Sequence, residues 1–300
     1  MSDTPLSRLN YVNLAAFVIN VLFTYGIGVM GLFGLPDNTV LSEKYQTLVT
    51  PIGWAFSIWG PIFISEGIFT IAQLLPSYRS NPLVTDGVSY WYAAVCLAQV
   101  FWTLSFSLEV LWLAAIMMFT ILGLLAKLVY NQYSMVPETT GQYWLFKFPF
   151  ELHCGWIVAA SFVNFSVLFV AYGAADNYAT QLAVAVLSLA GVTVVGLYVL
   201  FVIKKPLVTI GGVAAWALGG IAAQLTYPLD KTQAAFGDLV LTGLTGASGS
   251  LSIFFAVVVV LNIFYLIYKC CVGDKPGEDD GVPMQRKLTA PLTGKADSIV

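Results

Sequence analysis

The chain has 300 residues, of which 58% are hydrophobic and only 10% are charged, and its formal net charge is −3. Soluble domains carry about 25% charged residues, so this composition excludes a water-covered exterior and indicates a surface that faces lipid. No basic stripe is present, which argues against a nucleic-acid partner. One histidine and four cysteines lack metal-ligand spacing and any catalytic motif, so we predict neither a metal site nor an enzyme.

Eight apolar segments follow one another along the chain, and each is long enough to cross a bilayer as a helix. If the N-terminus lies inside, eleven of the 13 lysines and arginines fall on the inside, and only Lys44 and Lys231 fall outside. The positive-inside rule therefore predicts an all-α, polytopic, multi-pass bundle of about eight spans with both termini cytoplasmic. The segments cover residues 11–34, 51–75, 88–107, 109–131, 148–173, 180–203, 206–226 and 247–269.

The parts between and beyond the spans are more polar. We expect residues 1–10 and the tail 270–300 to be flexible, because neither can bury a core. The outside loop 226–245 contains Pro228 and several glycines and is interpreted as an interfacial cap. Glu109 is interpreted as marking a tight turn at the interface. Cys270 and Cys271, next to the last span on the predicted cytoplasmic side, are candidates for S-palmitoylation, with two unmodified thiols as the alternative.

The second segment opens with an aromatic motif, TPIGWAFSIWGPIF, at residues 50–63. Its prolines and glycines predict a kinked entry lined by Trp54, Phe56, Trp59 and Phe63, which would suit a flat apolar ligand. Glu66 follows on the face of Trp59 and Phe63. A carboxyl group at this depth either contacts a ligand or is simply protonated or hydrogen-bonded inside the bundle.

The fifth segment carries a mixed polar and aromatic stripe. Pro149, His153, Trp156, Ala160 and Asn164 recur at helical spacing and so share one face. We interpret this face as the wall of an internal site, with the alternative that His153 and Asn164 only join helices by hydrogen bonds. Metal binding has little support, apart from an axial approach of His153 to a haem-type iron.

These motifs together resemble the TspO/MBR family, the tryptophan-rich sensory proteins related to the peripheral benzodiazepine receptor. The second helix of that family is matched here by Pro51, Gly53, Trp54, Phe56, Trp59 and Phe63. Its third helix is matched loosely by Gln99 and Trp102, and its fifth by Pro149, Phe150, Trp156, Ala160 and Asn164. The spacing from Phe56 to Trp59 is one residue shorter than is typical of the family.

The resemblance implies a five-helix bundle over residues 11–173, roofed by residues 35–51. The three further membrane helices predicted over 174–269 depart from this family pattern. It implies binding, with sensing or translocation as further functions, of a flat apolar ligand such as a porphyrin, a haem-type compound or a sterol-like lipid. No cofactor is certain. The alternatives are a proton-coupled secondary transporter that uses Glu66 and His153, and a structural or accessory subunit without a ligand. The expected partners are the bilayer, the ligand, and a second copy or another membrane-complex component.

Overall fold

The computed structural model describes residues 5–173 and 177–272, apart from the side chains of residues 269–272. Within these ranges all regular secondary structure is helical. The α-helices are α1 (Arg8–Phe23), α2 (Asn38–Lys44), α3 (Trp59–Ala72), α4 (Trp91–Ser107), α5 (Leu111–Tyr133), α6 (Thr140–Phe146), α7 (Phe148–Ala171), α8 (Tyr178–Leu197), α9 (Val208–Thr226) and α10 (Asp230–Val272).

The apolar helices confirm the predicted multi-pass membrane fold. Seven helical segments of the described chain are long and apolar enough to cross a membrane, and α4, with 17 residues, is a shorter apolar helix. Together they correspond to the eight predicted segments. Because lipid offers no hydrogen bonds to the backbone, each segment satisfies its own N–H and C=O groups as a helix. The protein is therefore an integral membrane protein built as a polytopic helical bundle.

Two boundaries differ from those that the hydropathy predicts. Helix α1 begins at Arg8, and Asn10, in the stretch expected to be flexible, accepts hydrogen bonds from the Ser7 backbone N–H at 3.0 Å and from Ser7 Oγ at 2.8 Å. Helix α10 begins at Asp230, so most of the predicted loop 226–245 is helical, with one break at Gly237, whose φ is +66°. Glycine disfavours a helix in water, but this preference is a weak prior, and in lipid the backbone must satisfy its own hydrogen bonds.

Helix α7 lies at the centre of the bundle and packs against α3, α5, α6, α8 and α9. Most of its residues are buried, as expected for a helix that is apolar on nearly every side. Small residues permit the closest approaches. A Cβ atom at Gly155 would lie 2.9 Å from Val213 Cβ on α9, so only glycine fits there. The first five spans and the later ones therefore share one core.

Contact density divides the chain into two units, Met1–Asn262 and Ile263–Val300. The bundle and the cavities described below belong to the first unit. Of the second unit the structure describes residues 263–272, which continue α10. The candidate modification sites Cys270 and Cys271 lie there, with side chains outside the described part of the chain.

Candidate ligand-binding cavity

A cavity of about 370 Å³ lies beside the predicted aromatic motif. It is bounded by the π-helical turn Thr24–Val29 after α1, by α2, by the 3₁₀-helix Gly53–Ile58 and by the turn between α9 and α10. Phe56, Trp59, Phe63 and Trp102 supply its aromatic wall. The polar lining comes mainly from the opposite, α2 side and includes Asn38, Thr39, Ser42, Glu43, Gln46 and Thr50.

A second, smaller cavity of about 60 Å³ adjoins the first and extends it towards α7. Both share Phe56, Trp59 and Trp102 as lining residues, and the smaller one adds Trp156, Ala160 and Asn164. The predicted α7 stripe thus faces the aromatic motif across this smaller space, as its helical spacing suggests.

The aromatic wall is held in a fixed arrangement. The Trp59 ring stacks on Phe63 with centroids 5.4 Å apart and meets Trp156 edge-on at 6.3 Å. Trp102 Nε1 donates a hydrogen bond to Asn164 Oδ1 at 3.0 Å. Offset and edge-to-face pairs are the favoured aromatic geometries, so the wall presents preformed ring faces rather than mobile side chains.

Helix α9 fixes the entry to α3. The Ile52 backbone N–H donates to the carbonyl oxygen of Gly220 at 3.0 Å, and Trp216 Nε1 donates to the carbonyl oxygen of Ala55 at 2.9 Å. The rings of Trp54 and Trp216 meet edge-on at 4.8 Å. Trp54 therefore contacts α9 outside both cavities, and the later spans hold one wall of the site in place.

Helix α2 forms the roof that the resemblance predicts. Asp37 Oδ1 caps its first turn by accepting hydrogen bonds from Thr39 N at 2.8 Å and Val40 N at 3.0 Å. At the other end, Lys231 Nζ donates to the carbonyl oxygen of Lys44 at 3.1 Å. Such a cation satisfies carbonyl groups that a helix leaves free at its C-terminus.

A second contact joins the roof to the turn between α4 and α5. Glu109, at φ +59° in that turn, accepts hydrogen bonds from Lys44 Nζ and Tyr45 Oη. The prediction that Glu109 marks a tight turn is therefore confirmed. The adjacent Lys44 ammonium lowers the pKa of the Glu109 carboxyl below its ordinary value of 4.5, with a further contribution from Tyr45.

Acid is expected to loosen this contact. A carboxyl whose folded-state pKa is lowered stabilises the fold above its unfolded pKa, and that stabilisation is lost as pH falls through the folded value. We therefore expect faster hydrogen exchange in residues 38–45 as pH falls below about 4.5, after correction for the intrinsic effect of pH on exchange. Glu109→Gln should show the faster exchange already at neutral pH and no further change in acid. Identical profiles for the two proteins would contradict this assignment.

Beneath the cavities, three buried side chains from three helices meet. His153 Nδ1 lies 2.7 Å from Glu66 Oε1, and Tyr92 Oη donates to Glu66 Oε2 at 3.1 Å. All three side chains are fully buried. The His153 ring also meets the Trp59 ring edge-on at 5.6 Å. Trp59 consequently stands between the cavity and this group.

The structure divides the predicted site residues into two sets. Seven of them line the two cavities: Phe56, Trp59, Phe63, Trp102, Trp156, Ala160 and Asn164. The other five, Trp54, Glu66, Gln99, Phe150 and His153, line neither cavity. Gln99 is fully buried on α4, and Phe150 packs on Phe69 at 4.9 Å and on Tyr92 at 5.3 Å. Direct ligand contact by these five therefore has no support from the cavity geometry.

Several buried polar residues were not predicted from the sequence. Asn10, Asn13, Asn20 and Thr24 are all buried on α1 and the turn that follows it. Their spacing of three, seven and four residues places them on one helical face, and this is the signal that could have revealed them. In the described residues no group of three or more His, Cys, Asp or Glu side chains is arranged to hold a metal ion.

The comparisons with known proteins agree with the motif analysis. A family model described as TSPO-like protein matches residues 10–261, which includes the later spans as well as residues 11–173, where the motifs lie. No curated protein and no solved structure matches the chain. Since the family match covers most of the chain, the protein belongs to the TSPO-like family.

Proposed function

We propose that the protein binds a flat, largely apolar ligand, of the tetrapyrrole or sterol-like lipid class, in the cavity beneath α2. The preformed aromatic wall of Phe56, Trp59, Phe63 and Trp102 is the observation that carries this proposal. The volume of about 370 Å³ falls within the usual range for small-molecule sites, and the smaller cavity gives room for extension towards Trp156.

The lining also offers polar groups that could orient such a ligand. Asn38 lines both cavities, and its Oδ1 atom is buried without a hydrogen-bond partner among the described residues. An unpaired buried acceptor costs about 1–3 kcal/mol, which a ligand donor would recover. A Cβ atom at Gly28 would lie 2.9 Å from Asn38 Nδ2, so this glycine allows Asn38 its position. Ring faces would thus supply affinity, and Asn38 would supply orientation.

The Trp59 side chain is expected to carry much of the affinity. Titration of the purified protein with protoporphyrin IX should give saturable quenching of tryptophan fluorescence. Trp59→Ala should raise the dissociation constant about tenfold, because it removes stacking worth about 1.4 kcal/mol. Trp144→Ala is the matched control, since Trp144 is exposed on α6 and lines neither of these cavities nor the apolar cavity on α5. Absence of saturable quenching, or equal affinities for the two variants, would refute the proposed site.

Sensing and translocation would both require this binding step first. A homodimer, or assembly with another membrane-complex component, stays a prediction, because the bundle described above is a single chain.

A further inference from the structure

The group formed by Glu66, His153 and Tyr92 is not explained by ligand contact, since none of the three lines a cavity. Placing an ionisable residue inside a membrane helix is costly, and such residues commonly serve in ion or proton pathways. Both carboxylate oxygens of Glu66 have a partner. His153 Nε2, by contrast, is buried and lacks a hydrogen-bond partner among the described residues.

Buried polar side chains extend from the cavity along α1 into the bundle. Thr24, which lines the cavity, donates from Oγ1 to Asn20 Oδ1 at 3.2 Å. Asn20 Nδ2 is buried without a hydrogen-bond partner among the described residues. Helix α1 packs on α4, from which Tyr92 donates to Glu66 on α3. None of these side chains is more than 4% exposed, so they all lie inside the bundle.

Trp59 connects the cavities directly with the Glu66–His153 pair. It lines both cavities, and its ring lies edge-on to the His153 imidazole with centroids 5.6 Å apart. A ligand that displaces or rotates this ring would change the packing around His153. Buried cores move between discrete arrangements rather than deforming continuously. A change in the packing around His153 would therefore also alter its contact with Glu66.

We propose that Glu66 and His153 form a proton-binding site whose occupancy is coupled to ligand occupancy of the cavity. With an ionised carboxyl and a neutral imidazole, the pair carries a net charge of −1, and the Nδ1 proton is donated to Glu66. One added proton at Nε2 gives an imidazolium beside a carboxylate and removes the net charge. A neutral pair is less costly in a low-dielectric interior than a single unbalanced charge. The coupling, but not the proton site itself, rests on the proposed function.

Few other titratable groups face this pair. Those that do are Tyr92 and Cys96 on α4. On the remaining elements packed against α3 and α7, Tyr143 donates a hydrogen bond to Glu151, and Tyr133 accepts one from Lys205 N. The Tyr25 ring lies tilted against Phe63, with centroids 5.5 Å apart. Lys147 donates to the carbonyl oxygen of Met135. Cys154 is buried on α7, whereas Arg8, Tyr11, Lys127, Tyr130 and Tyr178 are exposed. The titration should therefore belong to the pair.

The single histidine of the chain makes a direct test feasible. The full-length protein, carrying an affinity tag without histidine, would be labelled with ¹⁵N-histidine and placed in lipid nanodiscs. Its one imidazole would be followed between about pH 5 and 9. We expect the ¹⁵N chemical shifts of both ring nitrogens to change with pH as the imidazole is protonated. Glu66→Gln should change the titration of His153 measurably, because it replaces the carboxylate that lies 2.7 Å from His153 Nδ1 with a neutral amide. Glu138→Gln, in an exposed loop, is the control and should leave the midpoint unchanged.

Coupling would be measured with protoporphyrin IX dimethyl ester, which has no carboxylate that could shift the titration by its own charge. Its binding would be checked separately by tryptophan quenching. We expect the bound probe to move the His153 midpoint by about half a unit or more. An imidazole that keeps one protonation state over the whole range would overturn the proton site. A midpoint unchanged by bound probe would overturn the coupling. Failure of both porphyrin probes to bind would contradict the proposed function and the coupling that rests on it. The titration without ligand would still decide whether the proton site exists.

Discussion

Glu66→Ala is expected to lower the free energy of unfolding by about 3–5 kcal/mol, because it removes a buried carboxyl group on which two other buried side chains depend as hydrogen-bond acceptor. The variant leaves His153 Nδ1 and Tyr92 Oη without the acceptors that they have at 2.7 and 3.1 Å. It also leaves a cavity where the side chain stood, and both effects add to the loss. Denaturant unfolding in detergent micelles, followed by tryptophan fluorescence, would measure the difference.

A double-mutant cycle would separate the pairing from the packing. Glu66→Leu alone should be strongly destabilising, whereas Glu66→Leu combined with His153→Leu should recover part of the loss, because no polar partner is then left unpaired. Glu138→Gln is the control, since Glu138 is exposed and glutamine keeps an acceptor for Gln142 Nε2, and it should change stability by less than about 0.5 kcal/mol. A loss below about 1 kcal/mol in Glu66→Ala would mean that water replaces the carboxylate without cost.

Gly220→Ala is expected to lower both stability and ligand affinity, although Gly220 lies on α9 and not in the aromatic motif. A Cβ atom at Gly220 would lie 2.7 Å from Ala55 Cβ and 3.1 Å from Pro51 Cβ. Neither neighbour can rotate away, because an alanine methyl and a proline ring have no alternative rotamer. Helix α9 must therefore separate from the 3₁₀-helix Gly53–Ile58, which weakens the hydrogen bond from Ile52 N to the Gly220 carbonyl oxygen. Overpacking of this kind costs about 1–3 kcal/mol.

Moving the 3₁₀-helix Gly53–Ile58 should also weaken ligand binding, because Phe56 belongs to this helix and lines both cavities. We expect about tenfold weaker protoporphyrin IX binding in Gly220→Ala, the equivalent of 1.4 kcal/mol. Gly212→Ala is the matched control on the same helix, since its nearest neighbour would be Val259 Cγ1 at 3.9 Å, an ordinary contact. Equal affinity and stability in the two variants would show that α9 does not position the aromatic wall.

The membrane fold could be read from the sequence because lipid imposes a simple rule. A segment that crosses the bilayer must be apolar on its outside and must satisfy its own backbone, so hydropathy locates helices well. Periodicity likewise placed Trp156, Ala160 and Asn164 on one face of α7, and that face does line a cavity. Orientation across the bilayer stays a prediction, based on the distribution of lysine and arginine.

Hydropathy was less reliable where a helix carries glycine or polar residues. It missed the start of α10 at Asp230, and it gave no reason to single out Asn20, which is fully buried in α1. The burial of Asn20 depends on another helix, because α1 packs on α4. Within α1 and the turn that follows, Asn20 accepts a hydrogen bond from Thr24 Oγ1 at 3.2 Å.

The sequence by itself determined that the chain is a multi-pass helical membrane protein with TspO-like aromatic motifs, because composition, periodicity and local spacing are properties of neighbouring residues. Only the tertiary structure decided that Glu66 and His153, 87 residues apart, form a pair and do not line the cavity. It also decided that α9 holds the cavity wall through Trp216 and Gly220. Contacts between distant segments depend on how helices pack, and a single sequence records hydrophobic faces but not which face meets which.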